Sequence, residues 1–192
     1  MPSSMIHLHI ARLVNDTRSP LYFVGSLAPD ALDTREKDHT HLRDRPDRAE
    51  ALAALARATN PADDFAEGVL LHLYADWRWD VTHLRRWLDT VEDKTDFTWV
   101  KGYRREIALA SAWLYWNKAW APPLWQAMEQ VPARKYGALE LIAPEDITDY
   151  ITGSHAWIET QQASPPSEFY TPDMAEDFAR ETASSYQSWR KA

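Results

Sequence analysis

The chain has 192 residues, a length that suits one domain, so we expect residues 1–192 to form a single folded unit. Its net charge of −8 argues against broad polyanion binding, and we expect no extended nucleic-acid surface. No apolar run reaches the about 20 residues that span a bilayer, and the N-terminal sequence shows no signal-peptide pattern. Together with the absence of cysteine, these features predict a cytoplasmic protein without a transmembrane segment, whose oligomeric state stays open.

The composition, with only five glycines and frequent alanine and leucine, favours helix over strand. Residues 5–14 are predicted to form a helix or an extended entry segment, residues 21–32 a short helix or turn, and residues 33–48 a charged loop. Further helices are predicted at 46–59, 60–91, 103–120, 122–131, 144–162 and 171–190. We therefore expect an all-α helical bundle.

The longest predicted helix, residues 60–91, carries three potential metal ligands on one face. Asn60 suits its N-terminus because its side chain can accept a backbone N–H. At 100° per residue, Asp76 lies about 40° and His83 about 20° from His72 around the helix axis. Apolar residues near the same line indicate an inward face, where unpaired polar groups cost several kcal/mol. A metal ion would supply a partner for all three side chains.

Other imidazole and carboxylate side chains are spread along the chain, at His7, Asp30, His41, His155 and Glu159. His155 and Glu159 are four residues apart, which places them on one face of their helix. They could equally form a solvated pair, just as His72 and Asp76 could simply hydrogen-bond each other in a core. Imidazole and carboxylate donors without thiolate suit zinc in an open, hydrolytic site.

Four short segments resemble the zinc-dependent phospholipase C family, whose architecture is shared by zinc-dependent single-strand nucleases. They are HLHIA at 7–11, GSLAPD at 25–30, THLRD at 40–44 and HLYAD at 72–76. The order and approximate spacing of the potential ligands also match the family from His7 to Glu159. The resemblance implies an all-α bundle that hydrolyses phosphate esters with zinc.

The same resemblance implies a ligand set for one to three zinc ions. A first zinc would be held by Asp30, His41, His72 and Asp76. A second would be held by His83, His155 and Glu159, and a third would take His7 together with a bridging Asp76. Eleven residues of straight helix span about 16 Å, so His72 and His83 can serve neighbouring ions only if the helix bends or ends between them.

These patterns predict a zinc-dependent phosphoesterase-like hydrolase that uses metal-activated water on a small-molecule phosphate ester. Asp30 or Asp76 would orient the water or accept its proton. Hydrolases built on adjacent His-Asp pairs are disfavoured because the chain contains no such dipeptide. A di-iron bundle needs repeated E-x-x-H motifs, and only Glu36–His39 fits. A non-catalytic binding or scaffold protein with a structural or vestigial metal site stays open as the alternative.

Overall fold

The predicted all-α architecture is confirmed by a computed structural model, which describes residues 1–32, 37–96 and 98–191. Over those residues the secondary structure consists of helices and 3-10 turns, with no β-strand. The helices are α1 (Ser4–Val14), α2 (Pro20–Gly25), α3 (Lys37–Thr40), α4 (Arg48–Ala58), α5 (Asp64–Val81), α6 (His83–Leu88), α7 (Trp99–Asn117), α8 (Ala121–Glu129), α9 (Pro144–Glu159) and α10 (Pro172–Trp189). The 3-10 turns are at Ala28–Ala31 and Gly137–Leu139.

Helix α5 is the central element, and it starts three to four residues later than its sequence predicts. Asp63, not Asn60, is the N-cap, and its side chain accepts a hydrogen bond from the Ala66 N–H. Asn60 instead closes a turn by accepting the Ala62 N–H at 3.0 Å. From there α5 packs against α1, α2, α4 and α10, so most of its residues are buried.

The predicted helix at 60–91 is two helices in the structure. Thr82 leaves the helical conformation, with φ −122° and ψ −76°, and separates α5 from α6. Its hydroxyl donates to the Arg78 carbonyl at 2.7 Å and so satisfies one of the terminal acceptors of α5. The direction of the chain therefore changes just before His83.

Helices α2 and α5 are in backbone contact through two glycines. A Cβ atom added at Gly25 would lie 2.2 Å from the Phe65 carbonyl oxygen, and one added at Gly68 would lie 2.1 Å from the Tyr22 carbonyl oxygen. Only glycine fits at such an approach. The contact brings the chain that follows α2 against the middle of α5, where the potential metal ligands lie.

The buried apolar side chains of α1, α2, α5 and α7 to α10 form a continuous core around this pair. The first predicted segment is a helix, α1, and the segment 21–32 consists of α2 and a 3-10 turn. Within the described residues, none of the helices combines the length and apolarity needed to cross a bilayer.

Candidate metal centre

Five of the eight predicted metal ligands converge beside α5, and we call them the His–Asp cluster: His7, Asp30, His41, His72 and Asp76. None exposes more than 6% of its surface. His7 comes from α1, Asp30 from the 3-10 turn after α2, His41 from the residue after α3, and the other two from α5. The His41 Nε2 atom lies 3.4 Å from Asp76 Oδ2 and 3.5 Å from Asp30 Oδ1, and His7 Nε2 lies 3.4 Å from Asp76 Oδ1.

Two imidazoles of the cluster have their tautomers fixed by main-chain carbonyl groups. His72 Nδ1 donates to the Ser26 carbonyl at 2.8 Å, and His41 Nδ1 donates to the Lys37 carbonyl at 2.9 Å. A carbonyl oxygen only accepts, so each Nδ1 carries the proton and the neutral ring presents a lone pair at Nε2. These two Nε2 atoms face each other at 3.3 Å. Between two neutral rings these lone pairs would repel, and a proton or a metal ion held between the two atoms removes the repulsion.

Several polar atoms of the cluster have no hydrogen-bond partner within the described part of the chain. They are both ring nitrogens of His7, Asp30 Oδ1 and Asp76 Oδ1. Orphaned buried groups of this kind cost several kcal/mol unless an ion or another ligand pairs with them. In two trios, His7–Asp30–His72 and His41–His72–Asp76, the donor atoms lie within 4.8 Å of one another. The cluster could therefore hold a metal ion.

The charge states of the cluster also suit a cation. Burial lowers the pKa of His72 to about 3, so this ring is neutral at pH 7. Burial alone would raise the pKa of Asp76, but the neighbouring His7 and His41 imidazoles outweigh it and hold the pKa well below its usual range. The pKa of Asp30 is lowered in the same way, chiefly by His41. Two ionised carboxylates and neutral imidazole nitrogens are metal donors.

Two cationic side chains lie at the edge of the cluster. Lys37 Nζ is 2.8 Å from Asp30 Oδ1, without the alignment of a hydrogen bond. Arg43 donates from Nη2 to Asp76 Oδ2 at 3.2 Å and from Nε to Asp80 Oδ2 at 2.9 Å. Both side chains therefore offset part of the buried negative charge. Arg43 leaves Asp76 Oδ1 without a hydrogen-bond donor, and Lys37 pairs with Asp30 Oδ1 by charge alone.

A cavity of about 630 Å³ opens above the cluster, large enough for a small organic ligand. Asp30 is the member of the cluster that lines this cavity, and the other four are buried away from its lining. One side of the cavity is apolar, with Leu84 from α6 and Val100 and Ile107 from α7. Lys37, Arg43 and Arg104 supply positive charge to its lining. Asp30 is therefore the residue through which the His–Asp cluster contacts the cavity.

His83 does not join the cluster. Its ring stacks on Trp79 with centroids 4.7 Å apart and meets the edge of Phe178 at 4.6 Å. Its Nδ1 atom lies 2.9 Å from the Thr82 hydroxyl. Burial lowers its pKa to about 4, with a smaller contribution from Arg86. The break at Thr82 thus directs His83 into an aromatic environment instead of toward a second metal ion.

His155 and Glu159 form a separate arrangement on α9. His155 Nδ1 lies 2.8 Å from Glu129 Oε1, and its Nε2 lies 3.0 Å from the Tyr115 hydroxyl. Glu159 Oε1 is 3.7 Å from the same Nε2 atom. Both ring nitrogens have partners, and the ring stacks on Trp125. Neither trio of donors in the His–Asp cluster includes this pair, so the predicted second zinc ligands are not assembled with it.

The other histidines have ordinary polar partners. His9 Nε2 lies 2.7 Å from Glu176 Oε2, and His39 Nδ1 lies 2.7 Å from Asp44 Oδ2 at the surface. Glu36, the first residue of the single E-x-x-H motif, lies outside the described residues. His39 itself shows no approach to the cluster ligands.

Sequence reasoning missed several residues that line the cavity. Trp99 and Arg104 lie on α7, and Tyr150 and Trp157 lie on α9. The spacing of Tyr150 and Trp157, two helical turns apart, was the one signal that could have placed them on a common face.

No family model, curated protein or solved structure matches the chain. The interpretation of the cluster therefore rests on its own geometry.

Proposed function

We propose that this protein is a zinc-dependent phosphoesterase-like hydrolase that acts on a small-molecule phosphate ester. One observation carries the proposal: the Nε2 atoms of His41 and His72 face each other at 3.3 Å while both Nδ1 atoms donate to main-chain carbonyls. In metal sites the outer nitrogen of a ligating histidine is typically held in this way. The orphaned oxygens of Asp30 and Asp76 supply the carboxylate donors beside it.

The donor set supports one zinc ion at this cluster. Both trios require His72 Nε2, because the Nδ1 atom of that ring is engaged by Ser26. One lone pair coordinates one ion, so the trios are alternative descriptions of a single site. His41, Asp30 and Asp76 complete a nitrogen and oxygen set of the kind zinc accepts, with His7 as a further donor.

The chemistry divides between the ion and the chain. When bound, zinc supplies Lewis acidity that polarises the phosphoryl group and activates water. Asp30 reaches the cavity wall, so its carboxylate is placed to orient the water and to accept its proton. Asp76 is fully buried, with Oδ2 held by Arg43, and its role is to bind the ion. Apolar side chains of α6 and α7 exclude bulk water from one side of the cavity.

The test is zinc content and phosphoesterase activity in two matched histidine variants. The purified protein is loaded with zinc, dialysed and analysed by mass spectrometry, then assayed with chromogenic phosphate mono- and diesters. We expect stoichiometric zinc and hydrolysis in the wild type and in His39→Gln. Both properties should be lost in His41→Gln. Wild-type protein that retains no zinc and gains no stability from it contradicts the proposal.

A second candidate is a non-catalytic binding or scaffold protein with a structural metal. It is favoured by the burial of His41, His72 and Asp76, none of which exposes any surface. A crystal of the zinc-loaded protein, with an anomalous-scattering map at the zinc edge, separates the two. An ion with four protein ligands and no position open toward the cavity supports the scaffold. An open position beside Asp30 supports the hydrolase.

A further inference from the structure

Three cationic side chains line the cavity, and they differ in what holds them. Lys37 lies against Asp30, and Arg43 contacts Asp76 and Asp80. Arg104 lies on α7, one helical turn after Val100 and one turn before Ile107, and both of these apolar residues also line the cavity. The Arg104 side chain is exposed. Among the residues that the structure describes, no carboxylate forms an ion pair with Arg104. Its charge is therefore available to a ligand in the cavity.

Metal binding would make the cavity more positive. An ion at the cluster takes up the negative charge of Asp30 and Asp76, which now offsets Lys37 and Arg43. Two carboxylates, Asp38 and Asp80, then remain in the described lining beside the three cations. The protein as a whole carries −8, so this positive cavity sits in an acidic molecule. Such a field favours a small anion over an extended polyanion.

We infer that Arg104 forms an anion subsite, and that the substrate of the proposed hydrolase is a phosphomonoester in its dianionic form. This inference rests on the proposed function for the reaction but not for the binding of the anion. A phosphate monoester carries up to two charges near pH 7 and offers unesterified oxygens beyond those a metal needs. A planar guanidinium binds two such oxygens at once. A diester has one charge fewer, because a second organic group esterifies one of those oxygens.

The location of Arg104 gives a bound anion an apolar neighbour. Val100 and Ile107 are partly buried and line the cavity one helical turn to either side of Arg104, which is itself exposed. Arg105 provides a matched comparison, because it is exposed on the same helix and does not line the cavity. The two arginines therefore separate a local effect from a change in net charge.

The experiment measures anion binding before catalysis. Inorganic phosphate is titrated by calorimetry into zinc-loaded wild type, Arg104→Met, Arg104→Lys and Arg105→Met, with thermal unfolding as the check on folding. We expect Arg104→Met to weaken phosphate binding by about tenfold or more, the loss typical of a charged hydrogen-bonded contact. Arg104→Lys should keep part of the affinity, and Arg105→Met should match the wild type.

Kinetics on p-nitrophenyl phosphate and bis(p-nitrophenyl) phosphate then decide the substrate class. We expect the wild type to prefer the monoester, and Arg104→Met to raise the KM for the monoester much more than for the diester. Equal affinity for phosphate in the wild type and Arg104→Met overturns the inference, as does a wild type that binds no phosphate or prefers the diester. Absence of hydrolysis of both esters defeats the proposed function and the substrate class with it, whereas the phosphate titration still decides whether Arg104 forms an anion subsite.

Discussion

Helix α5 carries a buried acidic residue near each end, and the two have different surroundings. Near its N-terminus, Glu67 accepts a hydrogen bond from the Tyr186 hydroxyl at 2.6 Å and ion-pairs with Arg190. Arg190 also donates to the carbonyl oxygens of Ala56 and Thr59. This network joins α4, α5 and the end of α10. Every charged group in it has partners within the protein.

Toward the other end of α5, Asp76 Oδ1 has no hydrogen-bond donor within the described residues, and the neighbouring Asp30 Oδ1 has an ion pair with Lys37 but no hydrogen bond. Glu67 and Asp76 are similarly buried, but only the polar atoms of Asp76 include one without a hydrogen-bond partner. A structural role accounts for the network of Glu67 and Arg190, because each of its charged groups has a partner in the protein. An incomplete one indicates a ligand that pairs with the remaining groups. The comparison therefore separates a buried charge that holds helices together from one that holds an ion.

The largest expected effect comes from Gly68→Ala, which disrupts both regions at once. The added methyl group would lie 2.1 Å from the Tyr22 carbonyl, so α2 must move away from α5. We expect the free energy of unfolding to fall by about 4 kcal/mol or more, measured by urea denaturation. Gly153→Ala is the control, since nothing lies within 4 Å of its added Cβ. An unchanged midpoint for Gly68→Ala would contradict the close helix contact.

The second-largest expected change in stability tests the network of Glu67 and Arg190. Glu67→Gln removes the charge that pairs with Arg190 and leaves a half-buried guanidinium partly uncompensated. We expect a loss of about 3 kcal/mol in the free energy of unfolding, with and without zinc. Arg180→Met, on α10 but in an exposed pair with Asp177, should change stability by less than about 0.5 kcal/mol. A zinc-dependent effect of Glu67→Gln would show that the two regions are not independent.

Asp76→Asn is the matched change in the incomplete region. Without zinc we expect the variant to be less stable than the wild type, because the ionised carboxylate, whose pKa is held low by its neighbours, and its contact with Arg43 are lost. At free zinc 100-fold above its dissociation constant, the wild type should gain about 2.7 kcal/mol, a gain that the variant lacks. Thermal unfolding with and without zinc measures both. Equal stabilisation of the two proteins would remove Asp76 from the metal site.

The smallest effect concerns His83 and depends on pH. Its pKa in the folded protein is about 4, below the ordinary value of 6.5. Between these values the unfolded chain binds the additional proton, so the wild type loses stability as the pH falls from about 6.5 to about 4. His83→Leu has no such loss. At pH 5 we expect it to exceed the wild type by about 1 kcal/mol, a figure reduced because the ring is partly solvated.

The same variant also separates His83 from metal binding. We expect His83→Leu to bind as much zinc as the wild type, because its ring packs on Trp79 and Phe178 rather than on the cluster. At pH 8 its stability should lie close to that of the wild type. Loss of zinc in this variant would restore His83 to the ligand set.

Much of this architecture could be predicted from local sequence. Helical periodicity indicated the buried side of α5, with Phe65, Val69, His72 and Asp76 all inward. Thr171 and Pro172 marked the start of α10, where the Thr171 side chain accepts the Met174 N–H. These features depend on neighbours a few residues away. They are therefore visible without knowledge of the tertiary structure.

Long-range partners could not be predicted in this way. Glu67 pairs with Arg190, which lies 123 positions further along the chain and which no local pattern links to it. His155 and Glu159 share a helical face as expected, but Glu129 and Tyr115 from two other helices decide what that face contacts. No proline or glycine marks the break at Thr82, after which His83 contacts Phe178 of α10.

The main-chain carbonyl groups that hold His41 and His72 have a consequence for how the protein can vary. Ser26 and Lys37 orient the two rings through oxygen atoms that every amino acid possesses. Substitution of either side chain leaves that support in place as long as the backbone keeps its path. Substitutions at Ser26 or Lys37 should therefore leave both imidazole orientations unchanged. The positions that cannot vary are the two glycines, Gly25 and Gly68, that allow α2 to contact α5.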